Sequence, residues 1–142
     1  MRVYVDTSFL MSLYSPDVHS PRAAARMTRL RASVLLTPLG EAELTNALEL
    51  RIFRKEAFEM QIRQAQSKFR EHVIAGIFVL EGMPTTVYER SKQIARKRTA
   101  SLGMRTLDIL HVASALLLHA DRFWTFDQRQ AKLAKLEGMR TN

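Results

Sequence analysis

The sequence predicts an α/β protein in which helices cover both faces of a largely parallel sheet. Short runs rich in β-branched and aromatic residues alternate with longer segments of helical periodicity. Strands separated by helices pair in parallel through crossover connections, and a parallel sheet buries both of its faces. The 142 residues, 46% of them hydrophobic, suffice for one domain over residues 1–142 with its own core.

Two strands and four helices are expected in the first half of the chain. Residues 3–5 form a β-branched and aromatic run, and residues 33–37 form a second, more apolar one. Ser20 and Pro21 are typical N-cap and first helical residues. The helices predicted here begin near Phe9 and span residues 20–31, 38–55 and 57–75.

The second half repeats the alternation. A third strand is expected at residues 77–80, between Gly76 and Gly82, and a fourth at residues 122–126. The expected helices are a basic amphipathic one at 85–101, a mostly apolar one at 105–119 and a short last one at 128–136. Because each strand is separated from the next by helix, the chain has the pattern of a layered α/β fold.

The charge balance indicates an anionic partner. The chain has 22 Lys and Arg against 14 Asp and Glu, a formal net charge of +8. Such an excess favours nucleic acid or an acidic protein segment. A dense basic stretch lies on the predicted helix 85–101, either as a solvated helix face or as a track for RNA phosphates; it consists of Arg90, Lys92, Arg96, Lys97 and Arg98.

Several classes of protein are disfavoured. Without cysteine the chain has no disulfide framework, zinc-thiolate site or thiol nucleophile. The first residues lack the pattern of a signal peptide, and the longest apolar candidate, residues 109–120, is shorter than a membrane span and is interrupted by polar residues. A cytoplasmic protein without a membrane partner is therefore expected.

Two strand patterns end in an aspartate where a helix is expected to begin. Asp6 follows the first strand, and Asp127 follows the fourth. Either residue could simply cap the following helix. In an open α/β sheet, however, ligands bind at the carboxyl ends of the strands, so both aspartates are also candidates for a shared site.

Two further acids lie on helical faces that are expected to be buried. Glu43 shares a stripe with Leu39, Ala47 and Leu50. A carboxylate on such a face needs a partner. Asp108 lies near the start of its helix, where the helix dipole also favours an acid. Four independent caps explain this set less well than one acidic site does.

The chemistry of such a site points to a divalent metal. Clustered carboxylates repel one another, so in a partly buried site they bind protons or cations. Oxygen ligands without a His or Cys cluster suit Mg²⁺ or Mn²⁺, which also accept phosphate oxygens into their shells. A cation in this position can acidify a water and neutralise a leaving oxygen. The acids and the basic charge together predict phosphodiester hydrolysis.

Over its full length the chain resembles the PIN domain family, and within it the VapC-type ribonuclease toxins of toxin-antitoxin pairs. The resemblance depends on the order and spacing of four motifs, which are Val5-Asp6-Thr7-Ser8, Glu43-Leu44, the segment from Leu107 to Ala115 around Asp108, and Thr125-Phe126-Asp127. It implies a three-layer α/β/α fold with a central, largely parallel sheet. It also implies that four acids hold a divalent metal, namely Asp6, Glu43, Asp108 and Asp127.

The resemblance further implies hydrogen-bonding roles for Ser8 and Thr125, an RNA substrate, a homodimer and a cognate antitoxin that covers the active site. Asp127 is the least secure ligand, because a helix cap explains it well. Arg105 and His111 flank Asp108 on its helix but are left out of the catalytic set, since an arginine can merely neutralise an acid and a lone histidine is more often structural.

Two other classes remain open at this point. A receiver-like phosphorylation domain would carry an acid pair after the first strand and an acceptor aspartate after the third, whereas this chain has Asp6 alone and ends the third strand in Leu80-Glu81-Gly82. The second is a non-catalytic nucleic-acid-binding module whose acids are structural. Apolar residues on the middle helices either pack in the core or form a partner groove; they are Phe53, Phe58, Met60, Ile62 and Phe69.

Overall fold

The computed structural model describes residues 1–142 and contains one five-stranded sheet in which every neighbouring pair is parallel. The strand order is β3-β2-β1-β4-β5. The strands are β1 (Val3–Val5), β2 (Val34–Leu36), β3 (Phe78–Leu80), β4 (Arg122–Trp124) and β5 (Arg140–Thr141). The four predicted strands are therefore confirmed. The two-residue edge strand β5 has no counterpart among the predictions from sequence.

Seven helices connect the strands. They are α1 (Thr7–Tyr14), α2 (Ser20–Arg29), α3 (Pro38–Phe53), α4 (Glu59–Ile74), α5 (Val87–Leu102), α6 (Thr106–Leu117) and α7 (Gln128–Leu136). Their ends lie within a few residues of the predicted ones. Three of them begin on a side chain that accepts a backbone N–H, since Asp6 caps α1, Thr37 caps α3 and Asp127 caps α7.

The core has two halves, one on each face of the sheet. Successive strand residues point to opposite faces, so Tyr4 packs with α5, α6 and α7, whereas Val3 and Val5 pack with α1 to α4. This arrangement confirms the three-layer α/β/α fold. None of the helices combines the length and the apolar character that crossing a lipid bilayer would require.

The strand order reverses next to β1. From β1 the chain adds β2 and β3 on one side, and then returns to add β4 and β5 on the other side. Asp6 follows β1 directly, and Asp127 follows β4 after a short turn. The two residues therefore flank the reversal at the carboxyl edge of the sheet, which is where open α/β sheets bind ligands.

The buried stripe of α3 differs from the predicted one. Gly40, Leu44 and Leu48 are buried, whereas the expected core residues Leu39, Ala47 and Leu50 are only partly so. The glycine lets the helix approach the sheet, since a Cβ added at Gly40 would lie 2.8 Å from Leu36 Cδ1. Glu43 therefore lies beside the buried stripe, with 24% of its side chain exposed.

Candidate active site

Asp6 is a buried carboxylate held by three hydrogen bonds. Only 2% of the residue is exposed. Its Oδ1 accepts from Ser8 Oγ at 2.7 Å and from the backbone N–H of Phe9 at 3.0 Å, and its Oδ2 accepts from Thr125 Oγ1 at 2.5 Å. The Phe9 contact is the expected helix cap, but the other two bonds orient the carboxylate beyond what a cap requires.

Ser8 and Thr125 join the ends of β1 and β4 around this carboxylate. The two hydroxyl oxygens lie 3.1 Å apart. Ser8 Oγ also accepts from the N–H of Phe126, and Thr125 Oγ1 accepts from the N–H of Asp127, both at 2.9 Å. Both hydroxyls thus bond within the site, as the family resemblance implies, and they tie the turn before Asp127 to Asp6.

Burial raises the pKa of Asp6 above the ordinary aspartate value, even though the bonds from Thr125, Phe9 and Ser8 favour the ionised form. A buried carboxylate of this kind is stabilised by a nearby positive charge. The charge of His111 also acts in this direction on Asp6.

Glu43 binds two donors from other elements. Its Oε1 accepts from Thr7 Oγ1 at 2.9 Å and forms a short contact with His111 Nε2. Burial alone would raise the pKa of Glu43, but the hydrogen bond and charge of His111, the Thr7 hydroxyl and the charge of Arg105 together lower it. Glu43 is therefore ionised at neutral pH.

His111 lies between Glu43 and a buried hydroxyl chain. Its Nδ1 is 2.8 Å from Tyr4 Oη, which in turn is 3.2 Å from Thr37 Oγ1. Because an ionised Glu43 can only accept, Nε2 must donate to it, and in a neutral ring Nδ1 then accepts from Tyr4. His111, only 2% exposed, thus orients Glu43 through a contact that the sequence analysis did not assign.

Asp108 and Asp127 are joined by Arg105. The guanidinium donates from Nε to Asp108 Oδ2 at 2.9 Å, and its Nη2 lies 3.9 Å from Asp127 Oδ2. Gln130 adds a second link, since its backbone N–H donates to Asp127 Oδ1 at 2.9 Å and its amide reaches the Asp108 carbonyl at 3.3 Å. The Asp108 carboxylate raises the pKa of Arg105, whose side chain is 71% exposed.

These contacts form one polar network at the carboxyl edge of the sheet, here called the acidic site. Thr125 links Asp6 to Asp127. Arg105 and Gln130 link Asp127 to Asp108. Thr7, which follows Asp6 in the chain, binds Glu43. Arg105 and His111, which the sequence analysis left aside, are both part of it.

The acidic site offers a divalent cation oxygen donors but no preformed cluster. No group of three or more His, Asp or Glu side chains is arranged to hold a metal ion together. The four carboxylates nevertheless supply the hard oxygen donors that Mg²⁺ and Mn²⁺ prefer. Arg105 now binds oxygens of Asp108 and Asp127 that a cation would use. The donor type therefore fits such a cation, although the carboxylates are not gathered around one position in this structure.

Three solved structures have a similar fold over nearly the whole chain. VapC20 of Mycobacterium tuberculosis, described as a sarcin-ricin loop cleaving toxin, is 14% identical with a TM-score of 0.71, covering 96% of this chain and 95% of its own. FitAcB from Neisseria gonorrhoeae is 17% identical with a TM-score of 0.73, covering 98% and 95%. VapBC2 from Rickettsia felis, bound to a promoter DNA fragment, is 13% identical with a TM-score of 0.67, covering 100% and 98%.

Comparison with curated protein sequences gives no match. The family comparison does give one, because the PIN domain model matches residues 3–136. This range includes all four acids, both of the site hydroxyls and every strand except β5. The chain therefore belongs to the PIN domain family.

Proposed function

We propose that the protein is a metal-dependent endoribonuclease that hydrolyses RNA phosphodiester bonds as the toxin of a toxin-antitoxin pair. The observation that carries the proposal is the buried Asp6 carboxylate, which Ser8 and Thr125 hold at the strand-order reversal of a PIN domain. A carboxylate with a raised pKa in such a place is more typical of a functional site than of a structural one.

The four acids are the metal ligands in this proposal. Asp6, Glu43, Asp108 and Asp127 would hold Mg²⁺ or Mn²⁺, which when bound supplies Lewis-acid chemistry at the scissile phosphate. Ser8 and Thr125 keep Asp6 oriented. The lowered pKa of Glu43 keeps it ionised, so that it can bind a cation.

His111 and Arg105 are positioning residues. His111 holds Glu43 from one side, and Tyr4 holds the imidazole from the other. Arg105 forms ion pairs with Asp108 and Asp127, and if these acids held a cation its exposed side chain would be free to contact a substrate phosphate.

An RNA substrate and an antitoxin partner are part of the same proposal. The net charge of +8 favours RNA, and one similar structure is described as a sarcin-ricin loop cleaving toxin. Phe53, Phe58 and Met60 are 83%, 80% and 72% exposed at the α3–α4 turn, an apolar surface of the kind that partners cover. We propose that a cognate antitoxin, a second copy of the chain, or both bind the protein.

A non-catalytic nucleic-acid-binding module is the alternative. It is favoured by two findings. Each of the four site acids binds a protein group, and no three of them are arranged to hold one metal ion. In such a module, Asp6→Asn would leave RNA binding intact and no cation would produce cleavage.

Expression in a bacterial host tests the proposal. The wild-type chain should arrest growth and degrade a specific RNA, whereas Asp6→Asn, Glu43→Gln and Asp108→Asn should each be harmless at equal protein levels. Glu89→Gln is the matched control, because Glu89 is an exposed acid of α5 that binds only Lys92. Growth arrest by all three site variants would contradict the proposal.

A further inference from the structure

Helix α2 carries a line of arginines that the acidic site does not use. Arg22, Arg26 and Arg29 are spaced by four and three residues, so they lie on one face of the helix. With Arg122 of β4 they line a cavity of about 390 Å³, the other walls of which include Trp124 and Leu30. These four residues are here called the arginine ridge.

The positive charge of the ridge is not compensated within the chain. None of the four guanidinium groups takes part in an ion pair with a carboxylate. Burial, followed by the charges of Arg22, Arg122 and Arg29, lowers the pKa of Arg26. Like charges held this close repel one another, and an anion between them would relieve this repulsion.

Aromatic rings keep the arginines in place and connect the ridge to the acidic site. Arg26 lies 5.8 Å from the ring centroid of Trp124, and Arg22 lies 5.8 Å from that of Phe126. Phe126 stands between Thr125 and Asp127 in the chain and stacks on His19 with centroids 4.4 Å apart. The ridge therefore begins against Phe126, the residue before Asp127 in the chain, and continues for about 10 Å along α2.

Two of the five residues in the other dense basic stretch are paired with carboxylates. On α5, Lys92 forms an ion pair with Glu89, and Arg98 binds both Glu137 and the Leu136 carbonyl. This pairing leaves fewer free charges on α5 than its sequence suggested. On the arginine ridge, none of the four guanidinium groups is paired in this way.

We propose that the arginine ridge binds the phosphate backbone of a single-stranded RNA segment next to the acidic site. A single row of cations about 10 Å long follows one backbone and contacts two or three of its phosphates. This inference rests on the proposed function, since it assigns the place where that substrate is held. An acidic protein segment is the other polyanion that the ridge could take, and the experiment separates the two.

The test is fluorescence anisotropy with a labelled single-stranded RNA in EDTA, so that binding is measured without cleavage. The variants are Arg22→Gln/Arg26→Gln/Arg29→Gln and, should Arg26 be needed for folding, Arg22→Gln/Arg29→Gln at two exposed positions. The matched control is Arg54→Gln/Lys55→Gln/Arg70→Gln, which removes the same charge from exposed residues of the α3–α4 region.

The triple ridge variant should bind about 10-fold more weakly, and its slope of log K against log salt should fall by about 2, since each single-strand phosphate contact contributes roughly 0.7. The control should change neither value by a comparable amount. A ridge variant that keeps the wild-type affinity and slope would overturn the proposal, as would a wild-type chain that does not bind the RNA.

Two further readouts distinguish a failure of the ridge proposal from a failure of the nuclease proposal. If ridge variants lose binding to a labelled poly-glutamate peptide while RNA binding stays unchanged, the ridge holds an acidic protein segment and the proposal is wrong. If wild type binds RNA through the ridge but never cleaves it in Mg²⁺ or Mn²⁺, the ridge is supported and the nuclease proposal fails instead.

Discussion

At the scale of single residues, the site depends on acids whose surroundings push their pKa values in opposite directions. Burial raises the pKa of Asp6, whereas the groups around Glu43 overcome its burial and lower its pKa. Two carboxylates in one network therefore hold protons with different strength. Glu43 is therefore ionised without further help, whereas a positive charge near Asp6 would favour its ionised form.

Asp6→Asn should stabilise the metal-free protein at neutral pH. Because the folded-state pKa of Asp6 is raised, folding loses stability as the pH rises from the unfolded pKa through the folded one. Asn carries no charge, so the variant should melt about 2 to 5 °C above wild type at pH 7 in EDTA. Its advantage should shrink at pH 4.

The control is Asp17→Asn, which replaces an exposed acid whose pKa is lowered through bonds from Ser12, His19 and Ser20. Its melting temperature at pH 7 should not rise, because the ionised form of Asp17 is the favoured one. An Asp6→Asn protein that melts below wild type at pH 7 would refute the view that burial destabilises the ionised form of Asp6.

Tyr4→Phe should show whether the hydroxyl chain positions Glu43. The change removes only the oxygen that joins Thr37 to His111, so a buried imidazole nitrogen is left without its partner. We expect a loss of about 1 to 2 kcal/mol in the free energy of unfolding by urea, and slower RNA cleavage. Tyr88→Phe, at a 66% exposed position, should change neither. Equal effects of the two variants would argue against a positioning role for the hydrogen bonds that Tyr4 forms with Thr37 and His111.

At the scale of elements, local patterns were predictable and long-range contacts were not. Ser20 and Pro21 mark the start of α2, and the strand runs mark β1 to β4, because these signals lie within a few residues. The edge strand β5 was missed because only two of its residues pair with β4. The buried face of α3 was misplaced because it depends on the close approach of Gly40 to Leu36.

The same distinction applies to the candidate site. Asp6 and Asp127 were candidates because each follows a strand and precedes a helix, which is a local pattern. The role of His111 depends on Glu43, 68 residues away, and Arg105 adds to its local partner Asp108 a second partner, Asp127, that lies 22 residues away. A pattern confined to one helix could not reveal these distant partners.

Arg105, which precedes α6, should compete with a metal ion for the acids that it bridges. Arg105→Gln removes the guanidinium from Asp108 and Asp127, so Mn²⁺ should raise the melting temperature of this variant more than that of wild type. Differential scanning fluorimetry across a Mn²⁺ titration measures the effect. Arg96→Gln on α5 should respond like wild type, and a smaller Mn²⁺ response in Arg105→Gln would contradict the proposed competition.

At the scale of the whole molecule, the fold gathers residues from distant parts of the chain at one edge. The parallel sheet places Asp6 and Asp127 on either side of the strand-order reversal, and α3 and α6 bring Glu43 and Asp108 to the same edge. The arginine ridge extends from this edge along the face that α2 covers. The architecture thus unites an acidic centre and a basic surface in a chain of net charge +8.

A divalent cation should therefore stabilise the entire fold. Binding to the folded state alone adds about 2.7 kcal/mol at a concentration 100 times the dissociation constant. For a chain of this size, this corresponds to a rise of about 5 °C or more in melting temperature. Wild type should show this rise in millimolar Mn²⁺ relative to EDTA, and Asp6→Asn should lose most of it. Coincident wild-type melts would show that the acids bind no metal.

Cleavage of a purified RNA in Mn²⁺ by wild type and by Asp108→Asn is the measurement that tests the central claim most directly. We expect wild type to produce discrete fragments that EDTA abolishes, and Asp108→Asn to bind the same RNA with little loss of affinity while cutting it at least about 100-fold more slowly. An Asp108→Asn protein that cuts RNA as fast as wild type would contradict the claim that these acids are the catalytic centre.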